Sequence, residues 1–270
     1  MKNLIQIISG CGSAETIEEC ARVPVSLGAT VIVVYGIWPR IDHPTGELTK
    51  YSDPSKWVNP TYQVDDVQAI AQRNGWHFIQ MDKFAYNGEQ YNTALDYIES
   101  RQMACDAIWY VDADECIDPA QTDTLLNEIA FFRNNGVRSV RFHKRVEIVE
   151  DWKGFTYDIT GGNYGIVLDE ATRLRRETYF DGNFFFKNPI SYGITSVPLL
   201  HLHHFRENAA NRITNGIWQG GGLEIDITRL DPVPETAYIS ALKAKYPHFH
   251  HRDTNSDSYL GTSLFKNEKA

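Results

Sequence analysis

Three acidic residues follow directly after a short, unbroken apolar run in the middle of the chain. Residues 107–111 read Ala-Ile-Trp-Tyr-Val, and Asp112, Asp114 and Glu115 come next. An apolar run of this length indicates a central parallel strand that is buried on both faces. Two acids one residue apart, in the turn that ends such a strand, can direct hard oxygen ligands at one divalent cation. The alternative is structural, because the acids could simply end the strand before a helix that Asp118 caps.

Three further strands precede this run and predict a sheet whose strand ends meet at one edge. Residues 4–9, 30–35 and 76–81 are rich in apolar and β-branched side chains, and helical patterns separate them. Strand, helix and strand at this spacing form right-handed parallel units. Ligands of such sheets bind outside the carboxyl ends of the strands. The ligand site at this edge would consist of Ser9, Gly10, Tyr35, Gly36, Asn87 and Asp112.

The pattern changes after Gly136 to closely spaced strands. The fold class that this predicts is α/β, a three-layer sandwich with a mostly parallel central sheet and an antiparallel extension. We expect residues 1–136 and 137–270 to form the two sides of one cleft, without separate cores. In the second half the pattern predicts one long strand over 140–148, a hairpin turn at 151–154, short strands at 164–168, 172–176 and 197–205, and helices at 206–219 and 235–245.

The composition indicates a folded, soluble protein. Of 270 residues, 42% are hydrophobic and 12% aromatic, which allows a sizeable core. The formal net charge of −9 argues against nonspecific binding of nucleic acid, although it leaves a local basic groove open. The four cysteines lack zinc-ligand spacing, and the chain shows neither a signal peptide nor a membrane-spanning stretch. We therefore expect a cytoplasmic protein in a reducing compartment.

The stretch around the acids resembles a known family. It reads Asn87-Gly-x-x-Tyr-Asn92, then a helical pattern, then the apolar strand, Asp112-Ala-Asp114 and finally Pro119. In order, spacing and secondary structure it is similar to the family 2 glycosyltransferases, which have the GT-A nucleotide-sugar-binding fold. The resemblance covers residues 3–135 well.

This resemblance implies the transfer of a sugar from a nucleotide-diphosphate donor to a hydroxyl group of a glycan or another biomolecule. A Mn²⁺ or Mg²⁺ ion would bridge Asp114 and the diphosphate and act as a Lewis acid on the leaving group. Asp112 would contact the ribose or a metal-bound water. Asn87 and Asn92 would shape the turn before the helix and touch the donor.

Two later segments resemble the family's arginine-rich strand and its late histidine. They are Arg173-Leu-Arg-Arg176 and the run 199–205. His201 falls where the late histidine would, and His203 shares its face of the strand, so either imidazole could complete the metal shell. Arg173 could bind the diphosphate, because a guanidinium fork matches oxyanions. The alternative for the arginines is a solvated face paired with nearby glutamates.

Two departures from the family leave the donor nucleotide and the catalytic base open. An acid usually ends the second strand, where this chain has Tyr35-Gly36. The acceptor half usually carries an acidic pair, and residues 180–187 offer only Asp181. If the reaction inverts the anomeric centre, Asp181 is the candidate base, followed by Asp158 and Glu177. A retaining enzyme needs no such base.

Tryptophans outside the expected donor site are candidates for acceptor binding. The insertion over residues 36–62 is rich in proline, tryptophan and tyrosine, and long loops of this kind are often functional. Flat aromatic faces suit sugar rings. The candidates are Trp38, Trp57, Trp152 and Trp218, and simple core packing is the alternative for each of them.

Three other functions stay open. A sugar-1-phosphate nucleotidyltransferase shares the sheet architecture, but it would show a basic glycine-rich loop after the first strand, and Gly10-Cys-Gly-Ser13 has no nearby lysine. A noncatalytic carbohydrate-binding protein could have kept the fold, although the intact acid pair argues against this. A transferase that acts on modified DNA is disfavoured by the acidic net charge.

Overall fold

The computed structural model describes residues 2–10, 14–37, 64–84, 87–150, 152–158, 165–178, 184–186, 190–202, 223–224, 231–246 and 262–263. The elements in chain order are β1 (Leu4–Gly10), α1 (Ile17–Ser26), β2 (Thr30–Ile37), α2 (Val64–Arg73), β3 (His77–Phe84), α3 (Asn87–Ser100), β4 (Ala107–Asp112), β5 (Glu115–Cys116), a 3₁₀ helix (Pro119–Gln121), α4 (Thr122–Asn134), β6 (Ser139–Phe142), β7 (Lys144–Glu150), β8 (Lys153–Asp158), β9 (Gly165–Leu168), a second 3₁₀ helix (Asp169–Arg173), β10 (Arg176–Thr178), β11 (Phe184–Phe186), β12 (Tyr192–Thr195), β13 (Leu199–His201), β14 (Leu223–Glu224), β15 (Asp231–Pro232), α5 (Ala237–Lys245) and β16 (Thr262–Ser263).

A seven-stranded sheet forms the centre of the described chain, in the order β12-β6-β9-β4-β1-β2-β3. Six of these strands run in one direction, and β9 runs antiparallel to both of its neighbours. Helices α1 and α2 pack on one face through Ile17 and Val67, and α3 packs on the other through Tyr91 and Leu95. The predicted fold class, a three-layer α/β sandwich with a mostly parallel sheet, is therefore confirmed.

Strands from the second half of the chain extend the same sheet. Strand β9 pairs with β4, and β6 and β12 follow outward from β9. Val140 on β6 and Ile166 on β9 share one apolar cluster with Leu4 and Trp109. The cluster thus joins residues from both sides of position 136. The division into a donor half and an acceptor half stays a prediction.

The long strand predicted over residues 140–148 is wrong, because the chain changes sheet within it. Strand β6 belongs to the central sheet, whereas β7 belongs to a second sheet of order β15-β8-β7-β13-β5. The predicted strand at 172–176 is also wrong. Asp169 takes a left-handed conformation with φ of 55°, which ends β9 and begins the 3₁₀ helix Asp169–Arg173.

Other elements of the second half agree with the sequence analysis. Strands β7 and β8 form the predicted antiparallel hairpin. The predicted helix at 235–245 is α5, and Thr236 caps it by accepting a hydrogen bond from the amide of Ile239. Asp118 caps the 3₁₀ helix after the acidic turn, because its carboxylate accepts from the amide of Ala120 at 2.9 Å. The helix predicted at 206–219 lies outside the described residues.

Helix α1 contains Pro24 and ends two residues later, at Ser26. Proline has no amide hydrogen, so the carbonyl four residues earlier, on Cys20, loses its helical donor. The side chain of Gln6, fully buried on β1, donates to this carbonyl at 2.9 Å. The sheet therefore supplies the hydrogen bond that the proline removes.

This arrangement predicts energetic coupling between Gln6 and Pro24. Gln6→Leu should lower the free energy of unfolding more when residue 24 is proline than when it is alanine, by about 1 kcal/mol, because an alanine amide can bond the Cys20 carbonyl. Urea unfolding of the two single variants and the double variant measures this difference. Additive effects of the two substitutions would contradict it.

A buried carboxylate on α1 binds two residues of α5 and so joins the two helices. Glu19 accepts hydrogen bonds from Arg22 at 2.8 Å, Lys245 at 2.6 Å and the hydroxyl of Tyr238 at 3.0 Å. Burial alone would raise the pKa of Glu19, but the hydrogen bonds from Arg22 and Lys245 outweigh it and lower the pKa from 4.5 to about 2.

The low pKa of Glu19 predicts acid-sensitive stability. Because the folded pKa lies below the unfolded one, the stabilisation is complete above about pH 5 and is lost as the pH falls towards 2. The shift corresponds to about 3 kcal/mol. Glu19→Gln should therefore be less stable than wild type at pH 7 and nearly equal to it at pH 2. The free energy of unfolding is measured for both proteins from pH 7 to pH 2. If it changed with pH equally in both, Glu19 would not be the source of the acid sensitivity.

Candidate active site

The acidic turn lies at the carboxyl end of β4 and is fixed through its middle residue. The amide of Ala113 donates to the carbonyl of Ser9 at 2.9 Å, and the hydroxyl of Thr16 donates to the carbonyl of Ala113 at 2.7 Å. Strand β1 and the residue before α1 thus hold Ala113 from both sides. The carboxylates of Asp112, which is half-buried, and Asp114, which is buried, extend from a constrained backbone.

Asp112 is oriented by a chain of hydroxyl groups. The hydroxyl of Ser9 donates to Asp112 Oδ1 at 3.0 Å, and the hydroxyl of Tyr110 lies 2.7 Å from the same serine oxygen. An ionised carboxylate only accepts hydrogen bonds, so the Ser9 hydroxyl donates to Asp112 and, with its own hydrogen used there, accepts from the hydroxyl of Tyr110. Burial raises the pKa of Tyr110 and keeps its phenol neutral.

A row of charged side chains crosses the second sheet beside this turn. His201 on β13 lies directly opposite Glu115 on β5 and Glu147 on β7, so the three side chains share one face. The Nδ1 atom of His201 is 2.5 Å from Glu147 Oε2, and its Nε2 atom is 3.2 Å from Asp114 Oδ2. Burial alone would lower the pKa of His201, but Glu147 and Asp114 outweigh it and raise the pKa to about 10.

Glu115 connects the row to the turn. Its carboxylate accepts from the backbone amide of Asp112 at 3.3 Å and from the guanidinium of Arg145. The side chain of Glu115 is fully buried, and that of Arg145 is 13% exposed. Burial raises the pKa of Glu115, and the neighbouring Arg145 opposes this rise.

The charges of this group favour a divalent cation. Four carboxylates, on Asp112, Asp114, Glu115 and Glu147, face the guanidinium of Arg145 and the imidazole of His201. Asp114, Glu115 and Glu147 are buried, and a divalent cation beside them would offset the mutual repulsion of their carboxylates. Carboxylate oxygens with one imidazole suit Mn²⁺ or Mg²⁺. In the described part of the chain, no group of three or more His, Cys, Asp or Glu side chains is arranged to hold a metal ion.

The structure brings together several of the residues that the sequence predicted for the site. Ser9, Asp112, Asp114 and His201 are linked by the contacts above. Gly10 ends β1 and pairs with Tyr35 on β2 at the same edge of the sheet. The next residue, Gly36, is buried, and a Cβ atom on it would lie 2.9 Å from the side-chain nitrogen of Gln90. Asn87 begins α3, the next element along the chain after β3 of the same sheet.

Three other predicted residues have different surroundings. The ring of Tyr35 is buried against α1 and α2, with Phe78 6.2 Å away, so only its backbone is at the edge. The side-chain oxygen of Asn92 accepts a hydrogen bond from the backbone amide of Arg176 at 2.9 Å, and its side-chain nitrogen donates to the backbone carbonyl of Arg176 at 2.8 Å. Trp152 is 9% exposed and packs in the apolar cluster of α5. For Trp152 the structure favours core packing, and we leave it out of the acceptor site.

The prediction for Arg173 needs correction. It is exposed at the end of a 3₁₀ helix that begins where the amide of Asp169 donates to the carbonyl of Asp106, at the amino end of β4. This is the sheet edge opposite to Asp112, because β9 runs antiparallel to β4. Of the run Arg173–Arg176, it is Arg176 that approaches the site, since its buried guanidinium lies 4.0 Å from the ring centre of Tyr91 and 5.1 Å from that of Tyr110.

Five predicted site residues lie outside the described residues: Trp38, Trp57, Asp181, His203 and Trp218. Their assignment to metal, acceptor or catalytic base stays a prediction. Conversely, the sequence analysis did not assign Tyr110, Arg145 or Glu147 to the site. The alternation of charged Arg145 and Glu147 with apolar Val146 and Ile148 along β7 could have indicated these two charged residues, and no comparable signal marked Tyr110.

Comparison with known proteins gives distant structural likenesses only. No protein family and no curated protein matches the sequence. Among solved structures, S. aureus TarS is 13% identical over 72% of this chain and 37% of that chain, with a TM-score of 0.36. TarS 1-349 is 12% identical over 98% of this chain and 76% of that chain, with a TM-score of 0.38. Its complex with UDP-GlcNAc is 13% identical over 72% of this chain and 58% of that chain, with a TM-score of 0.33.

This chain thus spans about a third of the length of the first of these proteins. Likeness at this level leaves the assignment of function to the geometry of the site. No helix in the described part of the chain combines the length and the apolarity needed to cross a membrane.

Proposed function

We propose that this protein is a glycosyltransferase that transfers a sugar from a nucleotide-diphosphate donor, with Mn²⁺ or Mg²⁺ as cofactor. One observation carries the proposal: a constrained Asp112-Ala-Asp114 turn ends the central parallel strand, with His201 3.2 Å from Asp114. The carboxyl edge of a parallel sheet is where such folds bind nucleotides. The negative charge of the buried group supports a cation between the protein and the diphosphate.

The residues of this chain have separate tasks in the proposed reaction. Asp114, with His201 and Asp112 beside it, would hold the cation, which would neutralise the charge of the departing diphosphate. Ser9 and Tyr110 keep the Asp112 carboxylate in one orientation. Such preorganisation matters because groups that are already in place need not rearrange as charge develops.

The acceptor is a hydroxyl group of a glycan or another biomolecule, and for an inverting reaction Asp181 remains the candidate base. Asp158, the next candidate, is exposed on β8 and lies 3.4 Å from His143. A carboxylate in water that faces an imidazole is less suited to act as a base than one in a closed cleft. This position therefore favours Asp181 over Asp158.

A thermal-shift panel tests the proposal. Nucleoside diphosphates of each base, with UDP and UDP-GlcNAc among them, are added with and without Mn²⁺. We expect one diphosphate to raise the melting temperature only when Mn²⁺ is present, with about 2.7 kcal/mol of stabilisation at one hundred times its Kd. The matching monophosphate is the control. Stabilisation by a nucleoside triphosphate with a sugar 1-phosphate, and by no diphosphate, would instead favour a nucleotidyltransferase.

A further inference from the structure

His201 lies between two carboxylates, and the sheet register determines this position. Glu147 on β7 is directly opposite His201 on β13, and their 2.5 Å contact joins Oε2 to Nδ1. On its other side, Nε2 of His201 faces Asp114. All three side chains are no more than 6% exposed. The orientation of the imidazole is therefore set by groups that solvent does not reach.

In the middle of β7, charged and apolar side chains lie on opposite faces of the second sheet. Along β7, Arg145 and Glu147 face the turn, whereas Val146 and Ile148 pack against the cluster of α5. The strand thus has an ordinary apolar face for stability. A buried carboxylate on the other face costs free energy that an apolar residue would not. A contribution to the acidic turn, made through His201, would explain why β7 carries a buried carboxylate at position 147.

We propose that Glu147 is a positioning residue that holds the imidazole of His201 with Nδ1 towards itself and Nε2 towards Asp114. The inference rests on the proposed function, since His201 serves the reaction only if a cation binds at the turn. Histidines that bind metals through one nitrogen usually donate the other N–H to a carboxylate or a carbonyl, which fixes the ring. Glu147 is in the place of that carboxylate.

The state of the His201 ring is measured directly by NMR on the metal-free protein with ¹⁵N-labelled histidine. We expect a proton on Nδ1 far downfield in wild type, because it lies in a short, charged hydrogen bond. In Glu147→Gln this resonance should move upfield, and His201→Gln identifies it by its disappearance. Glu19→Gln is the matched control, because it also neutralises a buried carboxylate, but on α1. An unchanged His201 resonance in Glu147→Gln would overturn the proposal.

The affinity for Mn²⁺ alone, without nucleotide, gives a second readout. Loss of a carboxylate behind a metal-binding histidine typically weakens binding 10- to 100-fold. We expect that loss in Glu147→Gln and wild-type affinity in Glu19→Gln. Equal affinity in Glu147→Gln and wild type would show that Glu147 is structural only.

Failure of the proposal and failure of the proposed function give different results. If wild type takes up no Mn²⁺ even when the nucleoside diphosphate is present, the metal-dependent function is wrong and the proposal falls with it, whereas the His201 resonance still reports whether Glu147 orients the ring. If Glu147→Gln does not fold, Glu147→Asp replaces it, since it keeps the charge and withdraws the oxygen by one methylene. The same upfield movement and weaker Mn²⁺ binding are then expected, and their absence would count against the proposal.

Discussion

Replacing Asp114 by asparagine should abolish sugar transfer while the protein stays folded. Asparagine has the same shape, so the packing around this buried position is kept. It lacks the charge that would bind a cation and, through it, stabilise the diphosphate as it departs. Removing one preorganised electrostatic contact commonly lowers kcat by about 10²–10³-fold, and loss of the cation should cost at least that much. Turnover and melting temperature are measured on the same preparations.

The melting temperature separates this functional role from a structural one. Because the Asp114 carboxylate faces the imidazole of His201 at 3.2 Å, the variant should lose some stability but remain folded at the assay temperature. Asp118→Asn is the control, because Asp118 lies four residues further along the chain and caps a 3₁₀ helix, a position in which asparagine serves equally well. Full activity of Asp114→Asn, or activity that survives exhaustive chelation, would rule out the metal-dependent mechanism.

The parts of the fold that the sequence predicted are those with local signals. The buried strand β4, the turn after it and the cap at Asp118 depend on residues within a dozen positions of one another. No local signal marks His143, the residue between β6 and β7 at which the chain passes from one sheet to the other. Residues 140–148 alternate as one strand would, and the change of sheet between β6 and β7 depends on distant partners, β9 for one strand and β13 for the other.

The same distinction holds for the candidate site. The sequence placed Ser9, Asp112 and Asp114 at one edge because the carboxyl ends of parallel strands meet there. The contacts of His201 with Glu147 depend on a register between strands more than fifty residues apart, which the sequence does not reveal. The sequence left both acceptor binding and core packing open for Trp152 for a related reason, since the helix against which it packs is α5, far along the chain.

The largest loss of stability is expected from Arg145→Met. In wild type the guanidinium of Arg145 contacts Glu115, whose side chain is fully buried. Methionine would fill the space but leave the Glu115 charge beside Asp112 and Asp114 without that partner. Removing one member of a buried ion pair typically costs 3–5 kcal/mol, roughly, because a buried charge is left uncompensated. Urea unfolding of wild type and variant at neutral pH gives the difference.

Two further variants test whether the loss of stability comes from the charge of Glu115 that has lost its partner. Adding Glu115→Gln to Arg145→Met should restore much of the stability, because the remaining side chain is then neutral. Arg133→Met is the matched control, since Arg133 is 41% exposed and pairs with Asp169 at the surface. Its loss should cost no more than about 1 kcal/mol. A double variant no more stable than Arg145→Met alone would contradict the argument.

The pH dependence of the Arg145→Met variant provides an independent check. Burial already raises the pKa of Glu115 in the folded protein, and losing Arg145 should raise it further. A folded pKa above the unfolded one means that folding takes up a proton, so stability is greatest at low pH and falls as the pH rises through the folded pKa. The deficit of Arg145→Met relative to wild type should therefore be smaller at pH 5 than at pH 8. A deficit that is constant over this range would show that lost packing, and not the charge of Glu115, causes the instability.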